Sequence, residues 1–444
     1  MKLWDKGVPV NEVIEAFTVG RDREMDLYLA ESDILGTIAH ITMLQSIGLL
    51  QQHELSELKK ALVAIYQDVK NGDFSIEPGV EDVHSQVELQ LTRRLGDIGK
   101  KVHSGRSRND QALLDIRLYT RDCLLSVASE THSLFDVLQS QSDTYKDVLL
   151  PGYTHLQVAM PSSFGLWFGA YAEALADDLQ LLLSAYKINN QNPLGSAAGY
   201  GSSFPLNRTL TTELLGFDDL NYNVVYAQMG RGKVERITAF AIANLAATIG
   251  RMATDLCLFM SQNFGFITLP AEFTTGSSIM PHKKNPDVFE LLRARCNRLQ
   301  SLPTEIGNIM GNLPSGYFRD MQITKESFLP ALSEIQLILQ VSAFALGQVQ
   351  VNDHILNDPR YVHLFSVEEV NRLVLSGVPF RDAYKLVGKQ IEEGSFSPDT
   401  TVNHTHEGSI GNLCNDKIAV KFKTTYSGFN GEAIQSVKEK LVSL

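Results

Sequence analysis

Three short polar strings carry the residues best suited to chemistry. The first runs from Thr274 to Asp287 and gathers the hydroxyls of Ser277 and Ser278, the ammonium groups of Lys283 and Lys284, and His282. Its end reads as a helix start, with Asn285 as N-cap, Pro286 in the first helical position and Asp287 facing the positive helix end. Side-chain and backbone donors would converge there on one point, a natural seat for a carboxylate. On composition alone, a loop of this kind is more often a basic surface loop. The second string, Ser104-Gly105-Arg106-Ser107-Arg108-Asn109-Asp110-Gln111, precedes a long stretch free of Pro and Gly. It reads either as a capped helix start, with Asn109 or Asp110 as the cap, or as two guanidiniums, a hydroxyl and an amide set around an anion at a helix N-terminus. The third, Pro151-Gly152-Tyr153-Thr154-His155-Leu156-Gln157, lies in a turn between two long helical stretches. A lone histidine in such a turn is usually a surface residue.

The elements that must position these strings are helical. Residues 111–146 contain no Pro or Gly, 162–190 hold only two glycines, and 229–263 place Ile242, Leu245, Ile249, Met252, Leu256 and Phe259 at alternating three- and four-residue steps. That is the seam of a helix packed along a bundle, and the alanines on its other faces admit close neighbours. Two more long helices are expected at 287–311 and 326–350. With strand-like patterns nearly absent, the fold class is all-α: an elongated central bundle of about five long helices. The expected domains are a mainly helical one at 1–110, the central bundle at 111–350 and a small helical one at 351–444. In the first, 26–50 carries Ile34, Ile38, Ile41 and Leu44 on one face, 54–69 is amphipathic, and a helix runs from Glu81 to about Leu95. In the last, Ser366 and Glu369 have capping-box spacing and Val378-Pro379-Phe380 opens a helix to Gly394. The tail after Ser397 is polar and irregular until a helix near 431–442.

Composition bounds the function. The chain has 444 residues, 44% hydrophobic and 20% charged, with net charge −12. That acidity argues against nucleic acid as a partner, since phosphate binding needs a basic surface. Cys123, Cys257, Cys296 and Cys414 show no paired or zinc-like spacing and read as free thiols. The opening residues lack a leader profile and no run of eighteen apolar residues occurs, so no membrane partner and a reducing cytoplasm are expected. Gly195–Gly201 is glycine-rich, but no strand precedes it and no Gly-Lys-Ser/Thr follows, which excludes a phosphate-cradling loop. His404-Thr405-His406 has no evident third metal ligand.

Gly276–Asp287 (GSSIMPHKKNPD) resembles the signature loop of the fumarase/aspartase superfamily, and SGRSRNDQ (Ser104–Gln111) and GYTHLQ (Gly152–Gln157) resemble its argininosuccinate lyase branch. The likeness covers nearly the whole chain. It implies cofactor-free and metal-free β-elimination of argininosuccinate to arginine and fumarate, a step of arginine biosynthesis. By position in the family's strings, Ser277 is the base, and Lys283 and Asn285 stabilise the charge that develops on the substrate carboxylate. His155, oriented by Glu290, delivers a proton towards the departing guanidinium. Ser107, Arg108, Asn109, Thr154, Tyr317, Gln322 and Lys325 hold substrate, and His84 matches a further active-site histidine. The family also implies a homotetramer whose sites are shared between chains. The segment Phe17–Asp26 carries two extra residues before the family's Asp, so no substrate contact is assigned there, and none in the tail after Ser397. Rival readings are adenylosuccinate lyase or another fumarate-releasing lyase, a structural homologue without chemistry, and a binding module for anionic metabolites.

Overall fold

The computed structural model describes residues 11–443. The opening residues read above for a leader, and the outer ends of the first and last expected domains, lie outside the described residues. The protein is built on long helices. Arg108–Thr144 is one unbroken helix of 37 residues, about 55 Å long at 1.5 Å per residue. No Pro or Gly interrupts it, and it starts at Ser107, whose side chain caps the first turn while the Asp110 carboxylate accepts from the Ser107 N–H at 2.8 Å. Ser107 therefore takes the capping place expected for Asn109 or Asp110. A hairpin, Leu149–Thr154 against Gln157–Ser163, turns the chain back into the helix Phe164–Asn189. Gly165 is required at that corner, because a Cβ there would lie 2.5 Å from Lys146 Cα.

Lys233–Met260 and Thr324–Leu346 complete the bundle together with Asp287–Leu299. Their seams meet in one core in which Leu138, Phe168, Leu175, Ile242, Leu245, Ile249, Phe289, Leu332 and Ile335 are all buried. Burial of such side chains stabilises by about 1.5–3 kcal/mol each. Lys233–Met260 and Arg319–Leu346 are long and apolar enough to cross a membrane by length and composition, but one face of each is part of this core. A second core joins Ala30–Ser46, Gln52–Asn71 and Val83–Leu95 to the first turns of the Arg108 helix. Ile34, Ile38, Ile41 and Leu44 face inward there, as their spacing predicts, against Leu58, Leu62, Leu91 and Leu114. A small cluster of Val370, Ala383 and Val387 ties Ser366–Leu375 to Phe380–Glu392.

Several expected elements differ in detail. The helix expected over 287–311 breaks into Asp287–Leu299 and Leu302–Ile309, because Pro303 has no N–H to donate and its ring clashes with the carbonyl a turn earlier. The 26–50 helix starts only at Ala30 and stops at Ser46, before Gly48 enters the left-handed region at φ 79°. Ser366 and Glu369 form no capping box: Ser366 is already helical and Glu369 pairs with Arg372. In the tail, Asn415–Tyr426 is a helix that the polar composition hides; its anchor is Phe422, stacked on Phe135 with ring centres 4.0 Å apart.

Candidate active site

Five separate stretches of chain, one of them the N-terminal end of the Arg108 helix, enclose a cleft of about 140 Å³. Arg108, Asn109, His84, Tyr317, Gln322 and Lys325 all line it, so six of the eight residues expected to hold substrate come together. Around them stand carboxylates. Arg108 donates to Glu81 at 3.1 Å and Asp82 at 2.8 Å, and Arg319 donates to the other oxygen of Glu81 at 2.7 Å. Gln322 accepts from Arg319 at 2.8 Å and donates to the carbonyls of Thr18 and Val19. Lys325 is buried and donates to Asp26 at 2.7 Å and to Asp22.

Burial sets the charges of this cleft. It pushes Asp22 up to about 6 in spite of Lys325, with the nearby Asp26 charge adding to the rise. Burial also opposes ionisation of Asp82, but the charges of His84 and Arg108 and the Ser85 N–H outweigh it and hold Asp82 below the usual carboxylate range. Lys325 moves the other way: burial favours loss of its proton, and Asp26 and Asp22 more than restore it. The result is a cleft with interleaved cations and anions, fit for a substrate that itself carries both.

The Thr274–Asp287 loop lies elsewhere and is largely exposed. A bridge between Thr275 and Asn285 closes it, with the Asn285 N–H donating to the Thr275 carbonyl at 2.9 Å. That extended pairing keeps Asn285 out of the capping place expected for it; the cap position falls to Pro286, and Asp287 is the first helical residue. Inside the loop, the backbone N–H groups of Ile279 and Met280 donate to Ser277 Oγ at 3.3 and 3.1 Å. Lys283 is exposed, and so is Glu290 in the first turn of the following helix.

Thr154 and His155 are at the tip of the hairpin. Thr154 pairs with Gln157, leaving His155 and Leu156 as a two-residue turn with φ of 54° and 57°. Both are exposed. Such a turn favours Asn-Gly, and side chains held in the left-handed region cost of order 1–3 kcal/mol each. The turn leaves the imidazole exposed to solvent. No hydrogen bond or ion pair joins His155 to Glu290 within the chain, among the described residues. The cleft lining includes neither of them, nor Thr154, Ser277, Lys283 or Asn285. Ser107 also stays out of the lining, its hydroxyl accepting from the Asn109 N–H at 3.2 Å.

Sequence reasoning missed the carboxylates and two of the arginines of the cleft. Asp22 and Asp26 stand one turn apart on a short helix, an i,i+4 spacing that brings both to one face and was there to be read. Glu81 and Asp82 adjoin His84 in a string that reads as a helix start and, by resemblance, as the seat of an active-site histidine, with no role for the two carboxylates. Arg231 and Arg319 carry no local signal; only the fold brings them to the cleft.

A family model described simply as a lyase matches residues 6–301. The chain is 65% identical to an argininosuccinate lyase of Bacteroides fragilis over 441 residues, 99% of each chain. It is 64% identical to the corresponding Bacteroides thetaiotaomicron protein, again over 99% of both. Among solved structures, EDDS lyase in complex with formate superposes with a TM-score of 0.77 at 20% identity, over 98% of this chain and 95% of that one, a likeness of fold. A lyase family match over most of the chain, with close relatives along its whole length, leads to one conclusion: the chain belongs to the argininosuccinate lyase family.

Proposed function

We infer that this chain is an argininosuccinate lyase, splitting argininosuccinate to arginine and fumarate by β-elimination. The observation that carries this is identity of 65% extending over 99% of both chains, because the cleft, the loop and the hairpin all fall within the shared length. The chemistry then accounts for the residue types. A base must take a weakly acidic proton from the carbon beside a carboxylate, leaving a carbanion delocalised into that carboxylate. Ser277 is our base. The two backbone donors aimed at its Oγ favour an alkoxide there, and Lys283 and Asn285 on the same loop would stabilise the charge growing on the substrate. His155, oriented by Glu290, passes a proton towards the departing guanidinium. Arg108, Asn109, Tyr317, Gln322, Lys325 and His84 hold the substrate in the cleft, with Ser107 and Thr154 completing the contacts.

We further read the working enzyme as a homotetramer with shared sites. Arg108 begins an unbroken helix of 37 residues and His155 lies beyond its far end, roughly 55 Å away along the helix. No single argininosuccinate spans that, so different chains must supply the two residues. We place the protein in the cytoplasm, in keeping with four free cysteines. Offering argininosuccinate, adenylosuccinate, malate and aspartate separately, and following fumarate by its ultraviolet absorbance, tests the assignment. Release from argininosuccinate alone is expected; release from adenylosuccinate alone would overturn it.

A further inference from the structure

The wall of the cleft contains a buried ionic cluster that packing does not require. His84 sits on Val83–Leu95, and its Nδ1 lies 2.7 Å from Asp33 Oδ1 and 3.5 Å from Asp115 Oδ2. The carboxylates come from two other helices, Ala30–Ser46 and Arg108–Thr144. The three side chains are 7%, 2% and 1% exposed. From the Arg108 helix, Gln111 Nε2 also reaches Asp33 Oδ1 at 3.5 Å, while Asp33 Oδ2 and Asp115 Oδ2 have no hydrogen-bond partner. Taking such charges out of water costs about as much as their attraction returns, and apolar side chains of the same size would serve a core as well. The cluster is therefore poorly explained as a device for stability. Its one outlet is His84, whose ring lines the cleft beside Arg108 and Lys325.

We propose that Asp33 is a positioning residue for substrate binding, which by taking the Nδ1–H bond fixes the His84 ring and aims its Nε2–H into the cleft as a cationic donor to a substrate carboxylate. This rests on the reading of the cleft as the argininosuccinate site. With Nδ1 committed to Asp33, Nε2 is the only ring donor left, and a charged donor to a carboxylate makes one of the stronger hydrogen bonds available. The surroundings agree with a ring held as imidazolium. Burial favours the neutral form, but Asp33, then Asp115 and Asp82, outweigh it and raise His84 to about 10. Burial and the Asp33 charge drive Asp115 well above the usual carboxylate range, and Asp33, at 2.7 Å against 3.5 Å for Asp115, is the nearer partner of the ring. Arg106 also acts on Asp33 and Asp115, and His103 on the His84 side of the cluster, while Glu88 and Asp26 add negative charge near Asp33 and Asp115. A histidine held this way keeps its proton, so it binds and orients; the proton for the leaving guanidinium has to come from another group.

Two measurements test this. Nuclear magnetic resonance of protein with labelled histidines, with the His84→Gln spectrum to identify the signal, should find both ring nitrogens of His84 protonated at pH 8. In Asp33→Asn the same ring should be neutral at pH 8, and KM for argininosuccinate should rise roughly tenfold to hundredfold with kcat changed far less, the pattern for loss of one charge-assisted contact used in binding. A neutral His84 in the unaltered protein would overturn the proposal even if the variant fails to fold. So would an unchanged KM in a folded Asp33→Asn protein. One equivalent of tightly held zinc or manganese per chain, bound through His84, would overturn it too, since Nδ1 would then be a metal ligand. Should the unaltered protein release no fumarate from argininosuccinate, the functional reading falls, and the protonation state of His84, which needs no substrate, still decides the role of Asp33.

Discussion

A serine hydroxyl is too weak a base in water to take a carbon-bound proton, so its surroundings must do the work. Ser277 has two backbone N–H groups within 3.3 Å of its Oγ and is otherwise set in an exposed loop. Its hydroxyl therefore contributes little to the helical core. Ser277→Ala should lower kcat by roughly a thousandfold or more while leaving the melting transition in place. Ser278→Ala should do much less, and steady-state fumarate assays of the two variants separate them; near-normal turnover in Ser277→Ala would remove Ser277 as the base. The buried histidines make a second residue-scale prediction. The unfolded chain gives up the His84 proton near 6.5, whereas the folded chain holds it to about 10. The stability this proton supplies is complete below pH 6.5 and is lost as pH rises towards 10. His40 acts oppositely: burial, then the Arg106 charge, lowers it to about 3, so acid below 6.5 favours the unfolded chain. Urea denaturation midpoints across pH 5 to 10 should therefore fall on the alkaline side, and the fall should be shallower in Asp33→Asn.

At the scale of elements, the helices were legible wherever a seam of apolar residues met the core. Ile34, Ile38, Ile41 and Leu44 are all buried as their spacing requires, and Ile242, Leu245 and Ile249 likewise. What stayed hidden depended on distant partners. The hairpin carrying His155 reads as a turn because Pro151 and Gly152 punctuate it, and its second strand Gln157–Ser163 shows no clear strand alternation. The helix Asn415–Tyr426 rests on two buried anchors, Ile418 and Phe422, too few to stand out in a polar tail. In the acidic half of the cleft, the i,i+4 spacing of Asp22 and Asp26 puts both on one face, but only the fold sets that face beside Lys325 and Glu81 beside Arg108 and Arg319. The Thr274–Asp287 loop differs from all of these. It is held by one bridge and a few local bonds, and a Cβ at Gly276 would meet nothing within 4 Å. Such a segment can close over a bound ligand and exclude water. Amide hydrogen exchange over residues 274–285 should slow when a non-reacting substrate analogue is bound, while exchange in the buried bundle helices stays as it was. Equal exchange with and without saturating analogue would count against a closing loop.

At the scale of the whole molecule, the distance between the two ends of the Arg108 helix decides how a site can be built. One chain gathers Arg108, Asn109 and Lys325 at one end and carries His155 on the hairpin that follows the other, with the unbroken helix between them. If every site takes Arg108 from one chain and His155 from another, lesions in the two positions can be separated by mixing. Arg108→Ala and His155→Asn should each be inactive alone. In the proposed tetramer, assembled at random from the two variants, half the sites receive an intact Arg108 and half an intact His155, so about a quarter receive both. The most direct measurement is fumarate release by doubly tagged tetramers purified from cells expressing both variants. Recovery of about a quarter of the unaltered activity per site is predicted; verified mixed tetramers as inactive as either parent would contradict the shared site.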